Sequence, residues 1–243
     1  MPDKKMMLLH GLGVDHRMWN FTRQRLVSEA EIFAPDLPGF GFKEPFGELS
    51  SVSVETYADH VAEQIRSTGA ESVALAGYSF GGTIALLTAL RHPELVSSLA
   101  LVCTSACWYS GREFTRPLLR APFSNIGMLF LGVGMRWALT RYIKGKRNRE
   151  VMLDMMKRAD RRTEVHILNL LGDLDLRPRL TELKVPVTVI AGGRDLIAKP
   201  RHQLEFAKGI KNVDLHLEPA LDHYYCVSEP RLLASRLENF LER

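Results

Sequence analysis

Residues 71–90, Glu71-Ser72-Val73-Ala74-Leu75-Ala76-Gly77-Tyr78-Ser79-Phe80-Gly81-Gly82-Thr83-Ile84-Ala85-Leu86-Leu87-Thr88-Ala89-Leu90, decide the fold. Glu71 to Ala76 is an apolar run of strand length, and Ser79 to Leu90 turns at once into a helix-forming run carrying Ile84, Leu86, Leu87, Ala89 and Leu90. So tight a passage forces the residue at the bend into a strained backbone conformation. Gly77 and Gly81 on either side keep that bend clear of neighbouring strands. Ser79 is thereby held outward at the edge of a sheet.

A serine hydroxyl is weakly nucleophilic alone and needs a base within about 2.6–3.2 Å, itself oriented by a carboxylate. His223 is the expected base, favoured over His202 and His216 because it follows the last strand, Val213 to Leu217, in a short loop before the final helix, Glu229 to Leu241. Asp195 follows the strand Val185 to Ala191 through Gly192-Gly193-Arg194 and is the expected orienting carboxylate. Its alternative role is an Asx-turn that caps Leu196-Ile197. Asp222 adjoins His223 and is the reserve carboxylate, since neighbouring side chains commonly diverge. Two backbone N–H groups complete the set as an expected oxyanion hole. Phe80 offers one from the start of the helix, and Leu12 offers the other from the turn His10-Gly11-Leu12-Gly13 after the first strand. His10 is expected to shape that loop, as are Gly11 and Gly13.

The remainder repeats the strand-then-helix rhythm. Met6 to His10, Glu31 to Pro35 and Ser98 to Cys103 are further strands, Tyr57 to Ser67 is a helix capped by Ser53, and Pro200 to Lys208 is helical between the last two strands. Alternation of this kind indicates an α/β fold with a largely parallel sheet covered on both faces. The stretch from Cys107 to Leu180 breaks it with helical runs alone, so it reads as an insertion between two sheet strands, giving a core of residues 1–106 and 181–243 and an inserted helical unit of residues 107–180. The insertion holds 15 Lys or Arg against 7 Asp or Glu, a net of +8, which leaves −4 on the rest of a chain of formal charge +4. Its densest positive cluster is Arg141, Lys144, Lys146, Arg147 and Arg149. Arg147 and Arg149 are the candidates for a rim that attracts anionic substrates or an acidic carrier protein; the alternative is an ordinary solvated helix face. Met128, Leu129, Phe130, Leu131, Trp137, Met152, Met155 and Met156 either line a pocket or pack the helices.

Composition narrows the classes further. With 46% hydrophobic residues over 243 positions, the chain is neither disordered nor collagen-like, and Cys103, Cys107 and Cys226 are too few for a disulfide framework. A reducing compartment, the cytoplasm, is the expected location, because charged residues cut short the apolar start and no uninterrupted run of about 18 residues could span a membrane. The modest charge and the lack of aromatic residues in the basic cluster argue against nucleic acid. There is no dinucleotide fingerprint, phosphate loop or metal-ligand cluster, so no cofactor and no metal are expected.

Taken in order, His10-Gly11-Leu12-Gly13, Pro35-Asp36-Leu37-Pro38-Gly39-Phe40-Gly41, Gly77 to Gly82, Gly192-Gly193-Arg194-Asp195 and Leu221-Asp222-His223-Tyr224 resemble the α/β-hydrolase superfamily over nearly the whole chain. The resemblance implies a doubly wound, mostly parallel sheet of about six main strands, because the family's usual opening hairpin has no counterpart before Met6. It also implies a helical cap and a Ser79, Asp195, His223 triad. Within the superfamily the chain looks like the serine esterase and lactonase branch, with a small-molecule ester, lactone or acyl substrate, anionic or carrier-bound in some relatives. Esterases that demethylate pimeloyl groups on acyl carrier protein, enol-lactonases, C–C bond hydrolases of activated diketones and non-enzymatic ligand receptors are the alternatives it leaves. Two departures stand out. Thr83 replaces the Arg that the menaquinone-pathway lyase carries after the glycine pair, and Asp222 replaces the small residue common before the histidine.

Overall fold

The computed structural model describes residues 4–108, 143 and 145–242. Six strands, β1 (Lys5–Leu9), β2 (Glu31–Phe33), β3 (Val73–Tyr78), β4 (Val96–Val102), β5 (Val187–Gly192) and β6 (Val213–Glu218), form one sheet in the order β2-β1-β3-β4-β5-β6. Every pairing is parallel, from Met6 opposite Ala74 to Val187 opposite Val213. Parallel strands need crossovers, and helices lie in them: α1 (Asn20–Arg23), α2 (Val54–Ser67), α3 (Phe80–Arg91), α4 (Lys146–Arg158), α5 (Arg161–Asp173) and α6 (Pro200–Ala207), while α7 (Tyr225–Ser228) and α8 (Pro230–Leu241) follow the last strand.

The two faces of the sheet follow from the period of two along each strand. Met7, Leu9, Leu75, Leu99 and Leu101 point to the face packed by α2 and α3. Met6, Leu8, Ala74, Ala76, Ala100 and Val102 point to the other, which α8 covers with Leu233, Leu237 and Phe240. Central strands therefore lack the polar alternation of half-exposed ones. The edge strand β6, Val-Asp-Leu-His-Leu-Glu, keeps it and leaves Leu215 and Leu217 exposed.

Helix α2 buries Val54, Tyr57, Ala58, Val61, Ala62 and Ile65, one stripe at helical spacing, and Ser53 starts it with a reciprocal capping box to Thr56. α8 begins with Pro230 in its first turn, where the missing N–H costs nothing. Strand β3 runs through Gly77 and Tyr78, two residues beyond the apolar run, because its ladder to β4 extends to Tyr78 opposite Val102. Among the described residues between β4 and β5 there are helices and no strand. An isolated bridge between Cys107 and Asp175 and a bond from Leu176 N–H to Ala106 O (2.8 Å) bring the two ends of that stretch together. Arg141, Lys144 and the apolar residues from Met128 to Trp137 lie outside the described residues.

Sheet order locates the crevice. From β1 the chain moves to β2 on one side, then returns to β3 on the other, so the loops leaving β1 and β3 diverge at their carboxyl ends. Doubly wound sheets bind ligands at such a switch point.

Candidate active site

Ser79 sits between β3 and α3 with φ 53° and ψ −121°, a left-handed conformation that costs a non-glycine residue about 1–3 kcal/mol. The surroundings hold it there. Its N–H donates to Val102 O (2.9 Å), and its carbonyl accepts from Gly82 N–H (2.9 Å), Thr83 N–H (3.2 Å) and the Thr104 hydroxyl (2.7 Å). A side chain at Gly77 would collide with the Gly81 carbonyl, and one at Gly81 with the carbonyl of His10. Both obstacles are backbone, which cannot swing aside.

His223 Nε2 lies 3.1 Å from Ser79 Oγ, and His223 Nδ1 lies 2.7 Å from Asp195 Oδ2. An ionised carboxylate only accepts, so Nδ1 carries the proton and Nε2 turns its lone pair to the serine hydroxyl. The two carboxylate oxygens of Asp195 have separate partners. While Oδ2 faces the imidazole, Oδ1 accepts from the N–H groups of Ile197 and Ala198, both at 2.8 Å. Ser79, Asp195 and His223 are 8%, 1% and 6% exposed, so this chain of contacts lies in a low-dielectric setting where each is stronger than in water. Asp222 Oδ1 accepts from Tyr224 N–H (2.7 Å), a local turn that shapes the loop and leaves the imidazole to Asp195.

The loop after β1 is tied down by His10. Its Nε2 accepts from Leu37 N–H (2.9 Å), so its Nδ1 holds the proton and donates to Gly11 O (2.8 Å). Burial lowers the pKa of this ring, which favours the neutral form that such a clamp requires. Gly13 turns the chain with φ 73°. Phe80 opens α3, where the first N–H groups have no intrahelical acceptor, and among the described residues neither Phe80 N–H nor Leu12 N–H donates to another backbone carbonyl.

Other groups surround this centre. The Cys103 Sγ, Asp195 and His223 donor atoms lie within 4.8 Å of one another, a formal ligand set. Burial raises the Cys103 thiol pKa well above its usual value, however, and both polar partners are engaged with each other. Those donors fit a hydrogen-bonded pair better than a cation. Asp15, His16 and Asp36 form a second such set, but Arg17 grips Asp15 through Nε (2.9 Å) and Nη2 (2.7 Å), and His16 Nδ1 bonds Asp36 (2.7 Å).

Arg147 and Arg149 fall on α4, and among the described residues neither is hydrogen-bonded or ion-paired to Ser79, Asp195 or His223. Arg147 is exposed, whereas Arg149 is half-buried and donates to Ile143 O (3.1 Å). Sequence patterning did not single out the Arg17 Nη1 bond to Asp154 on α4 (2.7 Å), the Thr104 bond to Ser79, or the contacts of Tyr78. Only for Tyr78 was there a signal, its place beside the serine inside the glycine-flanked turn.

The α/β-hydrolase family model matches residues 6–236, and the chain belongs to that family. A pimeloyl-[acyl-carrier protein] methyl ester esterase of Neisseria meningitidis serogroup C is 28% identical over all of this chain and 96% of its own. The esterase of the same name from Citrobacter koseri is 38% identical over 108 residues, 44% of this chain and 39% of that one. Among solved structures, the enol-lactonase from Burkholderia xenovorans LB400 superposes with a TM-score of 0.83 at 22% identity, covering 100% of this chain and 93% of that one. The family makes the chain a hydrolase; the last likeness speaks for the fold alone.

Proposed function

We propose that this hydrolase is a serine carboxylesterase acting through an acyl-serine intermediate on a small or acyl-type ester. The observation that carries it is the line Asp195–His223–Ser79, with contacts of 2.7 and 3.1 Å, at the carboxyl ends of parallel strands. Ser79 Oγ attacks the ester carbonyl as His223 Nε2 takes its proton, and Asp195 stabilises the imidazolium that results. The N–H groups of Leu12 and Phe80 receive the oxyanion, with α3 aligned behind them. The tetrahedral intermediate collapses as His223 returns the proton to the leaving alkoxide; the alcohol departs and an ester to Ser79 remains. Water then adds to that acyl-serine with His223 again as base, and the acid and free serine are released.

Within this chemistry a carrier-bound acyl methyl ester is the second substrate class, favoured by the names of the relatives and by the basic residues of α4 and α5. Residues 107–180 would form the cap over the substrate, and Arg147 and Arg149 its anionic rim. Cys103, Cys107 and Cys226 are buried as thiols, not joined in disulfides, which suits work in a reducing compartment such as the cytoplasm. The test is turnover of p-nitrophenyl esters of increasing acyl length, lactones, acyl-carrier methyl esters and vinylogous diketones, with Ser79→Ala as blank. Ester turnover, together with a fluorophosphonate adduct on Ser79 alone, is expected. Undiminished turnover by Ser79→Ala would sink the proposal, and cleavage of diketones without esters would replace it with C–C bond hydrolysis.

A further inference from the structure

We infer that Tyr78 is a positioning residue of this site, fixing the loop of the base through its hydroxyl and the turn of the oxyanion donors through its ring. The inference deepens the serine-esterase proposal and rests on it for the meaning of turnover. Tyr78 ends β3, and the strand's period of two places its side chain on the same sheet face as Ala74 and Ala76, opposite the face packed by α3. Small residues on that face leave space for the phenol to lie along the strand ends. Its hydroxyl donates to the backbone carbonyl of His223 at 2.6 Å, a buried contact between positions 145 residues apart. The two rings stand 5.1 Å apart, centroid to centroid.

On its other side the phenol presses against Gly11. A Cβ there would fall 2.8 Å from Cδ1 and 2.9 Å from Cε1 of Tyr78, so only glycine lets the turn before Leu12 approach the ring. One side chain thus touches the loop of the base and the loop of the oxyanion donor, while its backbone continues into Ser79. Burial raises the phenol pKa far above the usual value, so the group remains a proton donor throughout the working pH range. Asp195 fixes only the Nδ1 edge of His223; Tyr78 fixes the backbone from which that ring hangs. An imidazole with one anchor pivots, and an error of about 1 Å in such geometry can cost about 10²-fold in rate.

The decisive experiment compares the parent with Tyr78→Phe, which keeps the ring and removes the donor. With p-nitrophenyl butyrate, kcat is expected to fall about tenfold or more with KM within about twofold, since the surfaces that bind substrate are untouched. The low-field proton resonance of the His223–Asp195 hydrogen bond should broaden in the same variant. Gly11→Ala, which displaces the ring and keeps the hydroxyl, is expected to lower kcat in the same way and decides the matter if the phenylalanine variant does not fold. Parent-like kcat together with a parent-like resonance would overturn the inference, as would a change confined to KM. If the parent itself turns over no ester, the proposed activity has failed, and the resonance alone judges Tyr78.

Discussion

Helices α3 and α4 have 12 and 13 residues, and their surroundings could hardly differ more. Ten residues of α3 are buried, from Phe80 to Ala89, whereas α4 buries only Met152 and Met155 and leaves Lys146, Arg147, Glu150, Lys157 and Arg158 exposed. The reason lies in what each helix faces. α3 runs between the sheet and α2, so no side of it is free, and its sequence carries neither charge nor polar stripe until Arg91. α4 lies on the periphery, where a single apolar stripe is enough. The helix that starts beside the serine is confined on every side, and the helix that carries Lys146, Arg147 and Arg149 is confined on one. Substitutions on α3 should therefore abolish function or folding, and those on α4 should adjust it.

The largest effect is expected at the mouth of α3. Ser79→Ala should reduce turnover by about 10⁴-fold or more while leaving the melting temperature nearly unchanged, measured by ester hydrolysis and calorimetry side by side. Next comes Gly81→Ala, which drives a methyl group into the carbonyl of His10. Denaturant unfolding should register a loss of about 3 kcal/mol or more, because neither backbone can yield. A loss below 1 kcal/mol would mean that α3 is less confined than its packing implies.

A third test falls between the extremes, on α5. Burial pushes the Glu164 carboxyl up to about 7, against which the nearby Arg161 guanidinium, 3.8 Å away, works only partly. A carboxyl raised in the folded state binds more protons there than in the unfolded chain, so its penalty is absent below about pH 4.5 and grows as pH rises through 7. Glu164→Gln should gain stability over the parent at pH 8 relative to pH 5, by up to roughly 3 kcal/mol. A pH-independent difference between the two proteins would contradict it. The smallest effect belongs to α4: Arg147→Glu should shift stability by less than about 0.5 kcal/mol and weaken use of anionic or carrier-bound esters more than of neutral ones. Equal effects on both ester classes would remove Arg147 from any rim.

Most of the architecture was legible because it rests on short-range rules. Strand runs of Val, Leu and Ala, the Ser53 cap, Pro230 and the glycines around Ser79 each act within a few residues, and local pattern reports them faithfully. His223, Asp195 and Ser79 could be picked out because each follows a strand end, and parallel strands carry all such ends to one side. What pattern could not supply were contacts between segments far apart in the chain. The Tyr78 hydroxyl on His223 and the Arg17 guanidinium on Asp154 join residues 145 and 137 positions apart, with no periodicity to announce them. Likewise, pattern offers Asp195 a turn or an imidazole but cannot say that its two oxygens contact one each, Oδ1 the Ile197 N–H and Oδ2 the His223 ring.

Cys107 and Asp175 bridge where the chain leaves the sheet and comes back to it, and Leu176 bonds Ala106 beside them. An excursion whose two feet stand together can grow, shrink or be swapped for another without changing the gap the sheet must close. The entropy of joining its ends rises only as the logarithm of its length. Descendants of such a chain can thus rewrite that one stretch, while the sheet and the strained turn at Ser79 stay in a frame that never has to move.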